Sequence, residues 1–242
     1  MFVGEKSGRI VSYDSLADST PTPVADLSNA VHDFWDRGLL GMALDPDFTN
    51  GRPYIYVLYT YNKDPSDATV PRWPDNCPTP PGATADGCVV SGRLSRLTLD
   101  GVETPLITDW CQQYPSHSVG DLVFGPGRAL YVSAGDGASF NFADYGQDGA
   151  PVNPCGDPGG SAPTPPTAEG GALRSQDVRS AGDATGGDGA ILRVDPDTGA
   201  ALPDNPGAGS TDPMTRRIVA HGFRNPFRLT LRPGTGEVWA GA

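Results

Sequence analysis

Apolar and polar residues alternate along most of this chain at the two-residue period of half-buried strands. The runs are bounded by Gly, Pro, Asp and Asn. Helical periodicity is nearly absent, and the short segment 27–34 is the best helix candidate. Two sub-patterns recur. The first is an apolar strand, a turn containing proline, and an aromatic-rich strand: GMALDPDFTNGRPYIYVLYT (41–60), GDLVFGPGRALYVSAGDG (120–137) and FRLTLRPGTGEVWAGA (227–242). It places Pro46, Pro126 and Pro233 in equivalent turns. The second is a strand that opens on glycine and closes on an acidic turn: GRIVSYDS (8–15), GRLSRLTLDG (92–101) and GAILRVDPDTG (189–199).

The two units alternate, and each round yields about four strands, as in the four-stranded blade of a β-propeller. The alternative all-β reading is a sandwich with Greek-key connections. A sandwich gives no reason for the same proline-turn unit to recur three times. The units amount to roughly three to three and a half blades, whereas propellers close with about four to eight. Residues 1–242 are thus expected to be an incomplete propeller domain, cut at the C-terminal end inside a strand-like run. The start reads as trimmed too, because no signal peptide precedes the strand-like run at 1–5. Long polar insertions interrupt the pattern at 63–87 and 139–188, and loops of that length in a compact domain usually carry function.

Composition narrows the partners. The net charge is −12, and Lys6 and Lys63 are the only lysines, which argues against nucleic acid or an anionic membrane surface. No apolar run approaches the roughly 18 residues of a membrane span. The four cysteines, Cys77, Cys88, Cys111 and Cys155, form no C-x-x-C pair and no zinc-finger spacing. Cys77 and Cys88 flank a short Pro/Gly/Thr/Asp loop suited to closure by a disulfide, and Cys111 and Cys155 are then free to pair across a longer one. Two disulfides imply an oxidising compartment, secreted or periplasmic.

Candidate chemistry gathers at one kind of position. His117 lies in a loop leading into a strand, and its near-neutral pKa range suits a general base, although a loop histidine often only bonds a backbone carbonyl. In His221-Gly222-Phe223-Arg224-Asn225-Pro226-Phe227, a rigid fork of donors sits beside an amide, and Pro226 biases Asn225 towards extended backbone. That pair suits a planar anion, and the bland reading is a buried Arg–carboxylate pair with Asn capping a turn. Asp36 and Arg37 precede Gly38-Leu39-Leu40-Gly41. By the repeat, Asp36-Arg37, Ser116-His117 and Arg224-Asn225 occupy the same corner of successive units, which in a propeller faces one axial cavity. His32 and His221 have weaker claims. Asp136, Asp144 and Asp148 have the composition of a Ca²⁺ loop without EF-hand spacing, and read first as a solvated loop. DPDTG (195–199) reads as a β-turn. There is no G-x-S-x-G, no strand-borne GxGxxG and no Walker loop.

RGLLGMALDPDF (37–48), HSVGDLVFGP (117–126), LYVSAGDGA (130–138), GGALRSQD (170–177), GAILRVDP (189–196) and GFRNPFR (222–228) together resemble the glucose/sorbosone dehydrogenase family, soluble PQQ-dependent aldose dehydrogenases. The likeness runs in order over nearly the whole chain and is nearest to the secreted, cysteine-bearing bacterial members. It implies a six-bladed β-propeller with PQQ and Ca²⁺ at one mouth, an aldose substrate and an external electron acceptor. His117 matches the general base that takes the proton of the sugar C1 hydroxyl while hydride passes to the quinone. Arg224 matches the arginine on the reacting quinone oxygen, Asn225 a neighbouring cofactor contact, and Asp36 is a further candidate cofactor contact. Asp36 stands where the sugar-oxidising members often carry Gln, and Ser116 where they carry an acidic residue; both leave the substrate open. The family's Ca²⁺ seat and its further Lys and Arg cofactor ligands fall after Ala242, so the resemblance implies that this stretch alone does not hold PQQ tightly and is inactive by itself. The competing readings are a secreted propeller that binds carbohydrate or a protein without redox chemistry, and a purely structural extracellular module.

Overall fold

The described strands pair antiparallel into four sheets in the computed structural model. The structure describes residues 1–62, 89–112, 114–138 and 185–241, with Ser175 and Val178. The first sheet holds β1 (Phe2–Gly4), β2 (Arg9–Ser12) and β3 (Thr22–Asp26) in that order. The second holds β4 (Leu39–Leu44), β5 (Ile55–Tyr61), β6 (Val90–Leu97) and β7 (Glu103–Gln112). The third holds β8 (Val119–Phe124), β9 (Leu130–Ala134), β10 (Ala190–Val194) and β11 (Ile218–His221), and the fourth β12 (Arg228–Leu231) and β13 (Val238–Gly241). Every strand pairs with its neighbours in sequence, so each sheet is a meander, and the chain is the all-β propeller its repeats predict. Among the described residues no helix is long and apolar enough to cross a membrane.

The repeats fall at fixed places in the blades. Pro46 lies between β4 and β5, Pro126 between β8 and β9, and Pro233 between β12 and β13, always in the hairpin joining the first two strands of a sheet. The glycine-led units supply β6 and β10, each the third strand of its sheet. By the same match β2 is a third strand, so β1 to β3 take the second to fourth places of their blade.

Strand β5 shows how the blades are stacked. Its residues Ile55–Thr60 are all buried. Ile55, Val57 and Tyr59 point into an apolar layer with Ile10, Leu27, Val31 and Leu39, which joins the first sheet to the second. Tyr56 and Leu58 point the other way, into a layer with Trp110, Val119, Leu130, Val132 and Leu192 that joins the second to the third. A strand between two layers needs apolar side chains on both faces, which is why 55–59 reads as a continuous apolar run rather than an alternating one.

Segment 27–34 is not a helix. The N–H groups of Ala30 and Val31 both reach Leu27 O, closing a single turn, and Val31 then bridges Tyr61. So short a segment repays helix nucleation poorly, and pairing to β5 with burial of Leu27 and Val31 takes precedence. The α-helix the sequence did not reveal is α1 (Pro213–Arg217), where Asp212 accepts the Thr215 N–H at 2.8 Å and Pro213 starts the turn.

The first strands converge because they carry glycine where backbones meet. A Cβ on Gly41 of β4 would lie 3.3 Å from both Asp121 Cα and Gly120 O of β8. One on Gly120 would lie 2.8 Å from Pro226 O, just before β12. Strands β4, β8 and β12 therefore sit side by side, and so do the loops that lead into them.

At the far ends of the blades a charge cluster ties the second and third sheets together. Buried Asp45 accepts from Arg52 Nε at 3.1 Å, Arg128 Nη2 at 3.0 Å and Tyr56 Oη at 3.2 Å. Arg96 donates to Asp197 at 2.8 Å, and Arg52 bonds the same carboxylate. Burial works to raise the Asp45 pKa, but the Asp47 N–H, Arg52 and Arg128 outweigh it and hold the group below the ordinary carboxylate range. The charge thus stabilises the fold above a pH of about 3.9, and that contribution fades as pH falls below it. Asp45→Asn is expected to cost about 1–3 kcal/mol at neutral pH. Thermal melts should show the gap from the parent protein narrowing towards pH 3; a constant gap would contradict the assignment.

Candidate functional site

The three corners named by the repeat are joined by hydrogen bonds. Asp36 lies just before β4, His117 before β8, and Arg224-Asn225 before β12. The His117 N–H donates to Asp36 Oδ2 at 3.1 Å, and the Asp36 N–H donates to Pro115 O at 3.1 Å. The Asp136 N–H donates to Arg224 O at 2.8 Å, and Asp136 Oδ1 lies 2.8 Å from His117 Nδ1. Asp36, His117, Asp136 and Arg224 are thus links of one short chain of contacts.

His117 is buried to 9% exposure and sits in left-handed backbone, φ 51°. Its carbonyl accepts from the Gly137 N–H at 3.0 Å. Gly135 is required opposite it: a Cβ there would stand 2.4 Å from His117 O and 2.8 Å from its Cβ. Glycine at 135 lets the Asp136 loop press against the histidine, and Ser116 Oγ ties the same loop by donating to Ala138 O at 2.8 Å. A carboxylate only accepts, so its contact with Nδ1 assigns the proton there and leaves Nε2 as the basic nitrogen.

Beneath this corner lies a buried polar network. Arg37 is fully buried and donates to Gln112 O at 3.1 Å. Burial pushes its pKa down to about 9, and the nearby Asp188 charge works against that fall. Asp188 accepts from Trp110 Nε1 at 3.1 Å and Gln112 Nε2 at 3.2 Å, while Gln112 Oε1 accepts from Ser118 Oγ at 2.7 Å. The residue after His117 is thus tied to the residue after Asp36.

Arg224 is exposed, and among the described residues its guanidinium has no hydrogen-bond or ion-pair partner. Beside it the buried Oδ1 of Asn225 has no hydrogen-bond partner. Such a pair, one loose cation and one orphaned polar atom, suits a ligand that brings both acceptors and a donor.

Other candidates lie elsewhere. His32 is buried, with its N–H on Thr60 O at 2.8 Å, and exposed His221 ends β11. The 195–199 segment is a turn in which Asp195 Oδ1 accepts the N–H groups of Asp197 and Thr198. Asp144 and Asp148 lie outside the described residues, while Asp136 serves the histidine. Sequence reasoning did not single out Asp136 or Asp188 for these contacts; the signal for the first was its place between two glycines, and for the second there was none. Among the described residues no group of His, Cys, Asp and Glu is arranged to hold a metal ion. Cys111 is disulfide-bonded. Cys77, Cys88 and Cys155 lie outside the described residues, so neither expected pairing is tested.

A family model for glucose/sorbosone dehydrogenase matches residues 1–151, more than half the chain. The chain belongs to the glucose/sorbosone dehydrogenase family. Solved structures share its fold. One is an oxidoreductase (glucose dehydrogenase) from Thermus thermophilus, with 23% identity and a TM-score of 0.62 over 98% of this chain and 52% of that one. Another is the soluble aldose sugar dehydrogenase of Escherichia coli in its apo form, with 17% identity and a TM-score of 0.58 over 99% of this chain and 52% of that one. The chain therefore spans about half the length of these structures. Among curated proteins none matches it.

Proposed function

We propose that this chain is part of a PQQ-dependent dehydrogenase that oxidises an aldose at C1, with His117 as general base. The observation that carries this reading is the contact of His117 Nδ1 with Asp136 Oδ1 at 2.8 Å, one backbone hydrogen bond from Arg224. Family membership supports the same chemistry.

In this reading His117 Nε2 takes the proton of the C1 hydroxyl, and Asp136 holds the ring and favours the imidazolium that results. The Asp36 carboxylate fixes the His117 backbone. Arg224 and Asn225 are the residues of this chain that would hold PQQ, an anionic quinone with one ring N–H. The loose guanidinium and the orphaned amide oxygen fit such a group. When bound, PQQ supplies the quinone that accepts the hydride. Arg224 places a fixed positive charge where negative charge develops. In this reading the Ca²⁺ seat and the further Lys and Arg cofactor ligands that the family resemblance implies are not among residues 1–242, and residues 1–242 alone are expected to be inactive. Secretion, with Cys77–Cys88 and Cys111–Cys155 disulfides, completes the proposal.

The test is the complete protein loaded with PQQ and Ca²⁺ and assayed for dye reduction by a panel of aldoses. Sugar-dependent reduction that needs both additions is the expected result. No reduction by any aldose, with no spectral change on adding PQQ, would leave the non-redox carbohydrate-binding propeller as the better account.

A further inference from the structure

Asn50 and Gly51 lie in the turn between β4 and β5, and both are exposed. Gly51 has left-handed backbone, φ 94°, and a Cβ built there would meet nothing within 4 Å. Asp47 O accepts the N–H groups of Asn50 at 2.8 Å and of Arg52 at 3.2 Å. The Gly51 N–H between them makes no hydrogen bond among the described residues, and neither does the Asn50 side-chain amide. A side-chain amide thus precedes an uncommitted backbone nitrogen in open solvent, with no β-carbon on the glycine to hinder attack.

The other asparagines and Asp-Gly pairs among the described residues are closed to this chemistry. Asn205 and Asn225 precede proline, which has no N–H. Asn62 is buried, and Asn29 precedes Ala30, whose N–H is held by Leu27 O at 2.8 Å. After Asp100, Asp136 and Asp188, the glycine N–H groups are committed to Thr98 O at 3.1 Å, His117 O at 3.0 Å and Gly135 O at 2.8 Å. We propose that Asn50 is a site of spontaneous covalent modification, in which the Gly51 nitrogen displaces the Asn50 side-chain amide. The nitrogen loses its proton and bonds to Asn50 Cγ, the Cγ–Nδ2 bond breaks, and ammonia leaves. The resulting cyclic imide takes up one water. Opening at Cγ gives aspartate, and opening at the backbone carbonyl gives isoaspartate, whose main chain runs through Cβ and Cγ. Nothing is oxidised or reduced, and the net charge of −12 becomes one unit more negative. Isoaspartate also lengthens the turn just ahead of Arg52, whose guanidinium joins Asp45 to Asp197 and so the second sheet to the third. Conversion therefore loosens that tie.

The test is ageing of the complete protein in heavy-oxygen water, at neutral and at mildly alkaline pH, read by peptide mass mapping. Residue 50 should lose its amide and gain one heavy oxygen, faster at the higher pH. It should convert about fivefold or more faster than Asp100 isomerises, because a committed N–H must first be released. In urea, where the turn bonds are gone, Asp100 should speed up about fivefold while residue 50 keeps nearly its folded rate. No conversion of Asn50, or conversion about fivefold slower in the folded protein than in urea, overturns the proposal. Asn50→Gln, whose longer side chain does not close the same ring, should stay unmodified. The aged parent should melt below the fresh protein, and aged Asn50→Gln should not. Equal falls in both would overturn the loosening of the sheets.

Discussion

Replacing His117 with alanine in the complete, PQQ- and Ca²⁺-loaded protein should lower kcat about a hundredfold or more. The imidazole Nδ1 is already committed to Asp136 at 2.8 Å. Alanine removes the basic nitrogen but leaves the backbone links to Asp36 and Gly137 in place. Sugar binding should therefore survive while proton removal does not. Steady-state kinetics separate the two, and a loss confined to KM would contradict the general-base role. Asp136→Asn gives a milder counterpart: the ring keeps a neighbour but loses the charge that favours its protonated form.

The second large effect concerns stability. Asp188→Ala should destabilise the fold by about 3–5 kcal/mol, because it leaves the fully buried Arg37 without its nearby negative charge. Trp110 Nε1 and Gln112 Nε2 lose their shared acceptor in the same change. An unfolding free energy from denaturant melts lowered by less than about 1 kcal/mol would mean that the network is not held by this carboxylate. Arg37→Met in the Asp188→Ala background should recover part of the loss, since it removes the uncompensated charge rather than adding a contact.

The two positions differ in how readable they were. His117 announced itself through residue type and through its place ahead of a repeat strand. Asp188 closes a long polar insertion in sequence, and nothing nearby shows that it turns inward to meet Trp110 and Gln112. Segment 27–34 failed in another way: its local pattern suggested a helical turn, but Val31 pairs with Tyr61 far along the chain. Local preference is worth little against burial of Leu27 and Val31 in the layer between two sheets.

By itself the sequence determined the strand units, the equivalent prolines Pro46, Pro126 and Pro233, and the placing of Asp36, His117 and Arg224-Asn225 at one corner of successive units. These are repeating features, and a repeat carries its geometry from one unit to the next. Only the tertiary structure decided which side chains meet at that corner. The His117–Asp136 contact, the Asp36 grip on the His117 backbone and the unpartnered Asn225 oxygen depend on how close neighbouring blades approach. That approach is set by glycines such as Gly41, Gly120 and Gly135, whose missing side chains leave space that no pattern of apolar and polar residues records.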